Sequence, residues 1–234
     1  MKLNPLLVAL AAVSVGLSVN AGEKIQVLCV GDSNTYGSGV EKTRDKDSYP
    51  AQLQAMLGDN YEVVNSGVGG TTGCTSGKRI DPWHGDGNPY NRTKEHEKTL
   101  AATENAIVVI MFGTNDSGFW GGLKMTGDRW AAEYKAFVGE YLAKNPKKLI
   151  LVTAPKIFKY ESLWWGSAKL IDDPIIPKTR EIAKELKGVT LVDFYQILSD
   201  HGAEGWVGGD HIHLAAAGYK ALAEAVCKEI PQGK

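Results

Sequence analysis

The sequence predicts an α/β fold, a three-layer α/β/α sandwich built on a five-stranded parallel sheet, and two patterns carry that prediction. First, short β-rich runs recur at Ile25 to Val30, Tyr61 to Val64, Ile107 to Met111, Leu149 to Thr153 and Thr190 to Val192. Apart from Gln26, Glu62 and terminal threonines they are apolar throughout rather than alternating, as strands buried on both faces of a parallel sheet are. Second, helical patterns lie between them. Trp130, Tyr134, Phe137, Val138, Tyr141 and Leu142 recur at three- and four-residue steps, laying one apolar stripe along a helix from about Arg129 to Asn145. Ile175, Thr179, Ile182 and Leu186 repeat the pattern after Pro174, and Leu222, Val226 and Ile230 do so in a last helix from about Ala215 to Glu229. Such alternation implies right-handed βαβ units and helices on both sheet faces.

The first 21 residues stand apart from this fold. Lys2 supplies a positive start, Leu6 to Leu17 an apolar stretch, and Val19-Asn20-Ala21 a small-residue cleavage site before Gly22. This predicts a secretory signal over residues 1–21, cleaved after Ala21, and a secreted or periplasmic protein; left uncleaved, the same segment would be an N-terminal anchor. The stretch is shorter than the roughly 20 residues that cross a bilayer, and no later segment reaches that length, so no integral membrane segment is expected after cleavage.

Composition narrows the function classes. The chain has 234 residues, 43% apolar and 23% charged, enough for one sizeable core and a single domain over residues 22–234. A formal net charge of −1 gives no basic field, which argues against nucleic acid or an anionic membrane surface as a partner and favours a small neutral or weakly charged substrate. Three cysteines, Cys29, Cys74 and Cys227, would permit one disulfide in an oxidising compartment, with the pairing unreadable. They share no ligand spacing with a histidine, so no metal site and no cofactor is expected.

In a doubly wound sheet the ligand site lies beyond the carboxyl ends of the strands, so the loops there carry the candidate chemistry. The first strand runs into Gly31-Asp32-Ser33-Asn34-Thr35-Tyr36-Gly37; the glycine permits a tight turn that would present Ser33 at the sheet edge, where a turn or helix-cap serine is the plain alternative. The second leads to Asn65-Ser66-Gly67-Val68-Gly69-Gly70-Thr71-Thr72, where glycines leave backbone N–H groups accessible to an oxyanion. It opens a long segment, Ser66 to Arg92, rich in Gly, Thr and Asn, whose length itself suggests function. The third leads to Gly113-Thr114-Asn115-Asp116, offering an amide donor. Finally, in Asp210-His211-Ile212-His213, three-residue spacing across the start of a helical turn can set the Asp210 carboxylate beside His213, fixing its tautomer and leaving one nitrogen to take a serine proton. His211 is offset in direction and reads as a flank.

Together these blocks resemble the SGNH, or GDSL-type, hydrolases, whose marks are Gly-Asp-Ser, a glycine loop, Gly-x-Asn-Asp and Asp-x-x-His, here in the family's order from Ile25 to about Val226. The resemblance implies a flavodoxin-like sheet and a catalytic set of Ser33 as nucleophile, His213 as general base and acid, and Asp210 as its orienting carboxylate. It implies an oxyanion hole from the Ser33 N–H, Gly70 and Asn115. Gly67, Gly69 and Gly70 all lie in the glycine loop, and the match to Thr71-Thr72 selects Gly70. Asp32 reads as a structural hydrogen-bonding residue, and Asn34 departs from the Leu or Ile of many members.

The contexts GDSNTYG, SYPAQL, VVNSGVGGTT and IMFGTND are similar to bacterial acetylesterases acting on carbohydrates, sialate O-acetylesterase-like members included. The resemblance thus implies a serine esterase for short acyl groups, with a small-molecule or polysaccharide ester as substrate, and the signal segment makes it a secreted one. A lysophospholipase, thioesterase or general short-chain esterase on the same residues is the alternative, and a non-catalytic carbohydrate-binding protein a further one. Trp83, Trp120, Trp164, Trp165 and Trp206 fall outside the predicted strands and long helices and could stack on sugars or simply pack loops.

Overall fold

The computed structural model describes residues 24–77, 88–160 and 166–231. The predicted signal segment, Trp83, Trp164 and Trp165 lie outside them. Five parallel strands, β1 (Ile25–Gly31), β2 (Tyr61–Gly67), β3 (Ile107–Met111), β4 (Lys148–Val152) and β5 (Val189–Val192), form one sheet in the order β2-β1-β3-β4-β5. All five predicted runs are strands, within a few residues at their ends.

The helices are α1 (Ser33–Tyr36), α2 (Arg44–Asp47), α3 (Tyr49–Leu57), α4 (Lys94–Ala101), α5 (Thr114–Phe119), α6 (Gly127–Leu142), α7 (Ala168–Leu170), α8 (Ile176–Glu185), α9 (Phe194–His201) and α10 (Ala216–Glu229). The predicted helices correspond to α6, α8 and α10. α6 starts two residues earlier than its apolar stripe suggests because Thr126 caps it, accepting from the Arg129 N–H.

Side chains of the inner strands divide strictly between two cores. Leu28, Val30, Val108, Ile110, Leu149 and Leu151 pack against Trp130, Tyr134, Phe137 and Tyr141 of α6 and Ile176 and Ile182 of α8. Their neighbours Val27, Cys29, Ile107, Val109, Ile150 and Val152 face Tyr49, Leu53 and Leu57 of α3, Leu198 of α9 and Leu222 and Val226 of α10. This alternation through an all-apolar strand is what burial on both faces requires. The edge strands differ from expectation: β2 exposes Glu62 and Asn65, and β5 is mostly half-buried, because each has a neighbour on one side only. Cys29 and Cys74 are free thiols buried in opposite cores. The disulfide that three cysteines permit therefore does not join those two.

The register brings the strand ends level. Gly67 pairs with Gly31, Gly31 with Met111, Met111 with Val152, and Val152 with Val192. β1 passes to β2 on one side and the chain then crosses back to β3 on the other, so the loops after β1, β2 and β3 converge on the crevice where strand order reverses.

Candidate active site

Ser33 sits two residues beyond the end of β1, as the first residue of α1. The turn that puts it there is tight: a Cβ on Gly31 would lie 2.1 Å from Thr35 Oγ1 and 2.7 Å from the Met111 carbonyl. Asp32, not Ser33, caps the short helix, its Oδ1 accepting from the Asn34 N–H at 2.9 Å. That leaves the Ser33 hydroxyl uncommitted to capping, and the Ser33 N–H, first in the helix, has no intrahelical carbonyl to meet.

The hydroxyl meets His213 instead. His213 Nε2 lies 2.9 Å from Ser33 Oγ, and its Nδ1 lies 2.5 Å from Asp210 Oδ2. The other carboxylate oxygen, Asp210 Oδ1, accepts from the N–H groups of Ile212 (3.0 Å) and His213 (2.9 Å). Partial burial works against the Asp210 charge, but those two N–H groups and the His213 ring together hold its carboxyl below the ordinary carboxylate value. The contact is not built as the spacing suggested. Residues 210–213 form a loop in which His211 takes φ +60°, and α10 starts only at Ala216. His211, turned by that backbone, sets its ring edge-on to Tyr160 with centroids 6.3 Å apart, away from a role as second base.

Two short contacts fix the histidine loop against the serine loop. Gly39 lies against it so closely that a Cβ would stand 2.9 Å from the Leu214 carbonyl and 3.3 Å from His213 Cβ. Tyr219 of α10 donates its hydroxyl to the Ser38 carbonyl at 2.7 Å.

The other candidate donors lie on the neighbouring loops. Asn115, in the first turn of α5 and 8% exposed, donates its side-chain amide to the Thr71 carbonyl at 2.9 Å. Gly70 takes φ +76°, a left-handed conformation, and among the described residues makes none of the loop's backbone hydrogen bonds. Gly69 is next to Ser33, since a Cβ there would come 3.9 Å from Ser33 Cβ. Ser33, Asp210 and His213 thus form one hydrogen-bonded chain, with the glycine loop at its side and Asn115 held to that loop.

Sequence reasoning assigned no role to Asp116, yet it organises the loop. Buried beneath the site, it accepts the N–H groups of Gly73 (3.0 Å) and Cys74 (2.8 Å) and the Trp130 indole N–H (2.9 Å). The signal was present in the Asn-Asp pair of the third block. Asp32 has the opposite fortune: 1% exposed, its Oδ2 meets no donor, and burial, eased by the Asn34 N–H and reinforced by the nearby Asp116 carboxylate, pushes its pKa up to about 7. Among the described tryptophans, Trp206 stacks on His201 at 3.6 Å and Trp120 is half-buried against the α6 core. Among the described residues no three His, Cys, Asp or Glu side chains gather as a metal site, and no helix is long and apolar enough to cross a membrane.

This geometry has relatives. Residues 29–221 match the GDSL-like lipase/acylhydrolase family. Over 228 residues the chain is 31% identical to an acetylxylan esterase of Xylanibacter ruminicola, covering 89% of this chain and 43% of that protein, so it spans less than half its relative's length. Solved structures share the fold. A carbohydrate acetylesterase from Sinorhizobium meliloti has TM-score 0.65 at 20% identity, with 88% of this chain and 98% of that one covered. An aryl esterase of M. smegmatis has TM-score 0.64 at 18% identity (88% and 97% covered). A catalytic mutant of an acetylxylan esterase from Geobacillus stearothermophilus has TM-score 0.61 at 22% identity (89% and 95% covered).

Proposed function

The chain belongs to the GDSL-like lipase/acylhydrolase family, and on that premise we propose that it is an exported serine esterase that hydrolyses short acyl esters, acetyl groups on carbohydrates in particular. One observation carries the reading: the unbroken chain from Ser33 Oγ through His213 to Asp210, at 2.9 and 2.5 Å. A binding protein has no need of a serine, an imidazole and a carboxylate in that order. The acetyl and carbohydrate parts are supported by the acetylxylan esterase that shares 31% of its aligned residues with this chain. Export is supported by the amino-terminal residues alone.

The reading entails a two-stage acyl transfer. His213 Nε2 takes the Ser33 proton as Oγ bonds to the ester carbonyl carbon, while Asp210 holds the ring in the tautomer with hydrogen on Nδ1 and stabilises the imidazolium that forms. The carbonyl oxygen becomes an oxyanion facing the Ser33 and Gly70 N–H groups and the Asn115 amide. When the tetrahedral adduct collapses, the C–O bond to the sugar breaks and the departing alkoxide takes the proton from His213. Water then attacks the acyl-serine, giving its proton to the same nitrogen, and the acid leaves as Ser33 recovers its hydrogen.

A general short-chain esterase on the same residues is the second reading, supported by the likeness of fold to an aryl esterase. Two measurements test the proposal. A fluorophosphonate probe should label the wild type and not Ser33→Ala; no labelling would favour a non-catalytic binder. Acetylated xylan, pectin, sialic acid and aryl esters of rising chain length, scored by released acid, should give acetate from a glycan. Turnover of aryl esters alone would promote the second reading.

A further inference from the structure

One cavity that does not contain Ser33 touches the loop beside it. It measures about 620 Å³, within the range of small-molecule sites, and lies along the outer edge of β2. Tyr36 and Arg44 form one wall, Asn65 and Gly69 another, and Asp45 and Glu95 contribute carboxylates. Gly69 is the link to the chemistry, its missing Cβ being 3.9 Å from that of Ser33.

The lining has a definite chemistry. Tyr36 is one of two large apolar side chains left exposed among the described residues, at 37%, and the Arg44 guanidinium lies 4.1 Å over its ring. Among the described residues the Arg44 side chain makes no hydrogen bond or ion pair, its one contact being with the Tyr36 ring, so its guanidinium N–H groups have no partner there. Asp45 and Glu95 supply acceptors, and the Lys98 ammonium 3.7 Å from Glu95 is 75% exposed, so it offsets little of that charge. Donor fork, carboxylate acceptors and an aromatic edge in one open cavity match a ring bearing several hydroxyls, each of which both donates and accepts. One guanidinium against two carboxylates leaves the lining negative, which disfavours a ligand carrying a carboxylate of its own.

We infer that this cavity is a subsite for a neutral sugar unit of a glycan, bound beside Ser33 while a neighbouring unit presents its ester to that residue. The inference rests on the carbohydrate esterase reading and selects within it. Xylan-like or mannan-like chains are favoured over pectin and sialic acid.

Binding to the Ser33→Ala protein, which cannot turn substrate over, tests it apart from hydrolysis. Calorimetry with xylohexaose should show binding at least fivefold tighter than with an oligogalacturonate of equal length. Tyr36→Ala and, separately, the exposed Asp45→Asn in that background should each weaken xylohexaose at least fivefold. Absence of xylohexaose binding, equal or tighter binding of the acidic oligomer, or affinities unmoved by both substitutions would overturn the subsite. Its failure is distinguishable from that of the carbohydrate esterase reading, which falls if the wild type frees no acetate from any glycan.

Discussion

The side-chain amide of Asn115 is held by the Thr71 carbonyl at 2.9 Å, and Thr71 in turn donates its hydroxyl to the Val68 carbonyl at 2.7 Å. One of the two amide hydrogens is therefore occupied in orienting the group, and the other meets no acceptor among the described residues, as the proposed oxyanion role requires. A donor fixed before the reaction costs no reorganisation when charge develops, which is why such groups matter to the transition state. Asn115→Ala should lower kcat on an aryl acetate by about a hundredfold or more, the equivalent of roughly 3 to 4 kcal/mol, with the folded circular dichroism spectrum retained. Activity within tenfold of wild type would remove Asn115 from the oxyanion site.

In the proposed mechanism Asp210 acts through His213, whose Nδ1 it meets at 2.5 Å. Asp210→Asn keeps the shape but places a donor or a neutral oxygen where the imidazole needs an anion, so kcat should fall by a factor on the order of 10³ to 10⁴. Because the Asp210 pKa is depressed in the folded protein, the stabilisation it draws from its partners is present above its ordinary value near 3.8 and is lost as pH falls through the folded value. Above pH 5 the wild type and variant should therefore differ in rate at every pH, and a difference that vanished there would argue against the pairing.

Asp32 predicts a pH effect of the opposite sign. Its folded pKa of about 7 stands above the ordinary 3.8, so the folded state holds the proton more tightly than the unfolded state. Stability associated with it is full below pH 3.8 and is lost as pH rises through 7. Asp32→Asn keeps an N-cap and a neutral side chain at all pH values. The difference in Tm between variant and wild type should grow in the variant's favour from pH 4 to 8; a constant difference would show that Asp32 does not titrate there.

The glycines divide into two kinds. A Cβ on Gly67 would fall 2.1 Å from the Tyr36 backbone nitrogen, whereas one on Gly70 meets nothing within 4 Å but must adopt φ +76°. Gly67→Ala forces backbone apart and should cost about 3 kcal/mol or more in urea unfolding. Gly70→Ala should cost about 1 to 2 kcal/mol from its left-handed conformation alone. Equal losses would mean that the approach of β2 to α1 is looser than these distances.

Export makes a simple prediction. Expressed from its own amino terminus in a secreting bacterium, the protein should be recovered outside the cytoplasm beginning at Gly22, as amino-terminal sequencing would read; recovery with Met1 intact in the cytoplasm would refute the signal.

The sheet was legible because burial on both faces leaves runs of apolar residues in β1, β3 and β4, broken only by Gln26 and Lys148 near the strand starts, and the long α6 because one stripe of aromatics repeats along it. Short helices such as α3, α4 and α9 went unread; α4 has only His96 and Thr99 buried among charged residues, too few positions for a period to emerge. Ser33, Asp210 and His213 were legible as blocks, but the way Asp210 reaches His213 was not. It depends on His211 in a left-handed conformation, which no spacing rule for helices anticipates. Asp116 and the Arg44 and Tyr36 cavity were missed for the same reason, since their partners lie far along the chain and only the fold brings them near.

The level row Gly67, Gly31, Met111, Val152 and Val192 separates two kinds of position. Below it, side chains answer to packing; above it, the loops answer to whatever ester approaches. Selection can therefore redraw those loops one at a time and move between esters without refounding the protein, except at Gly31 and Gly67, where the two demands meet in a single atom that cannot be added.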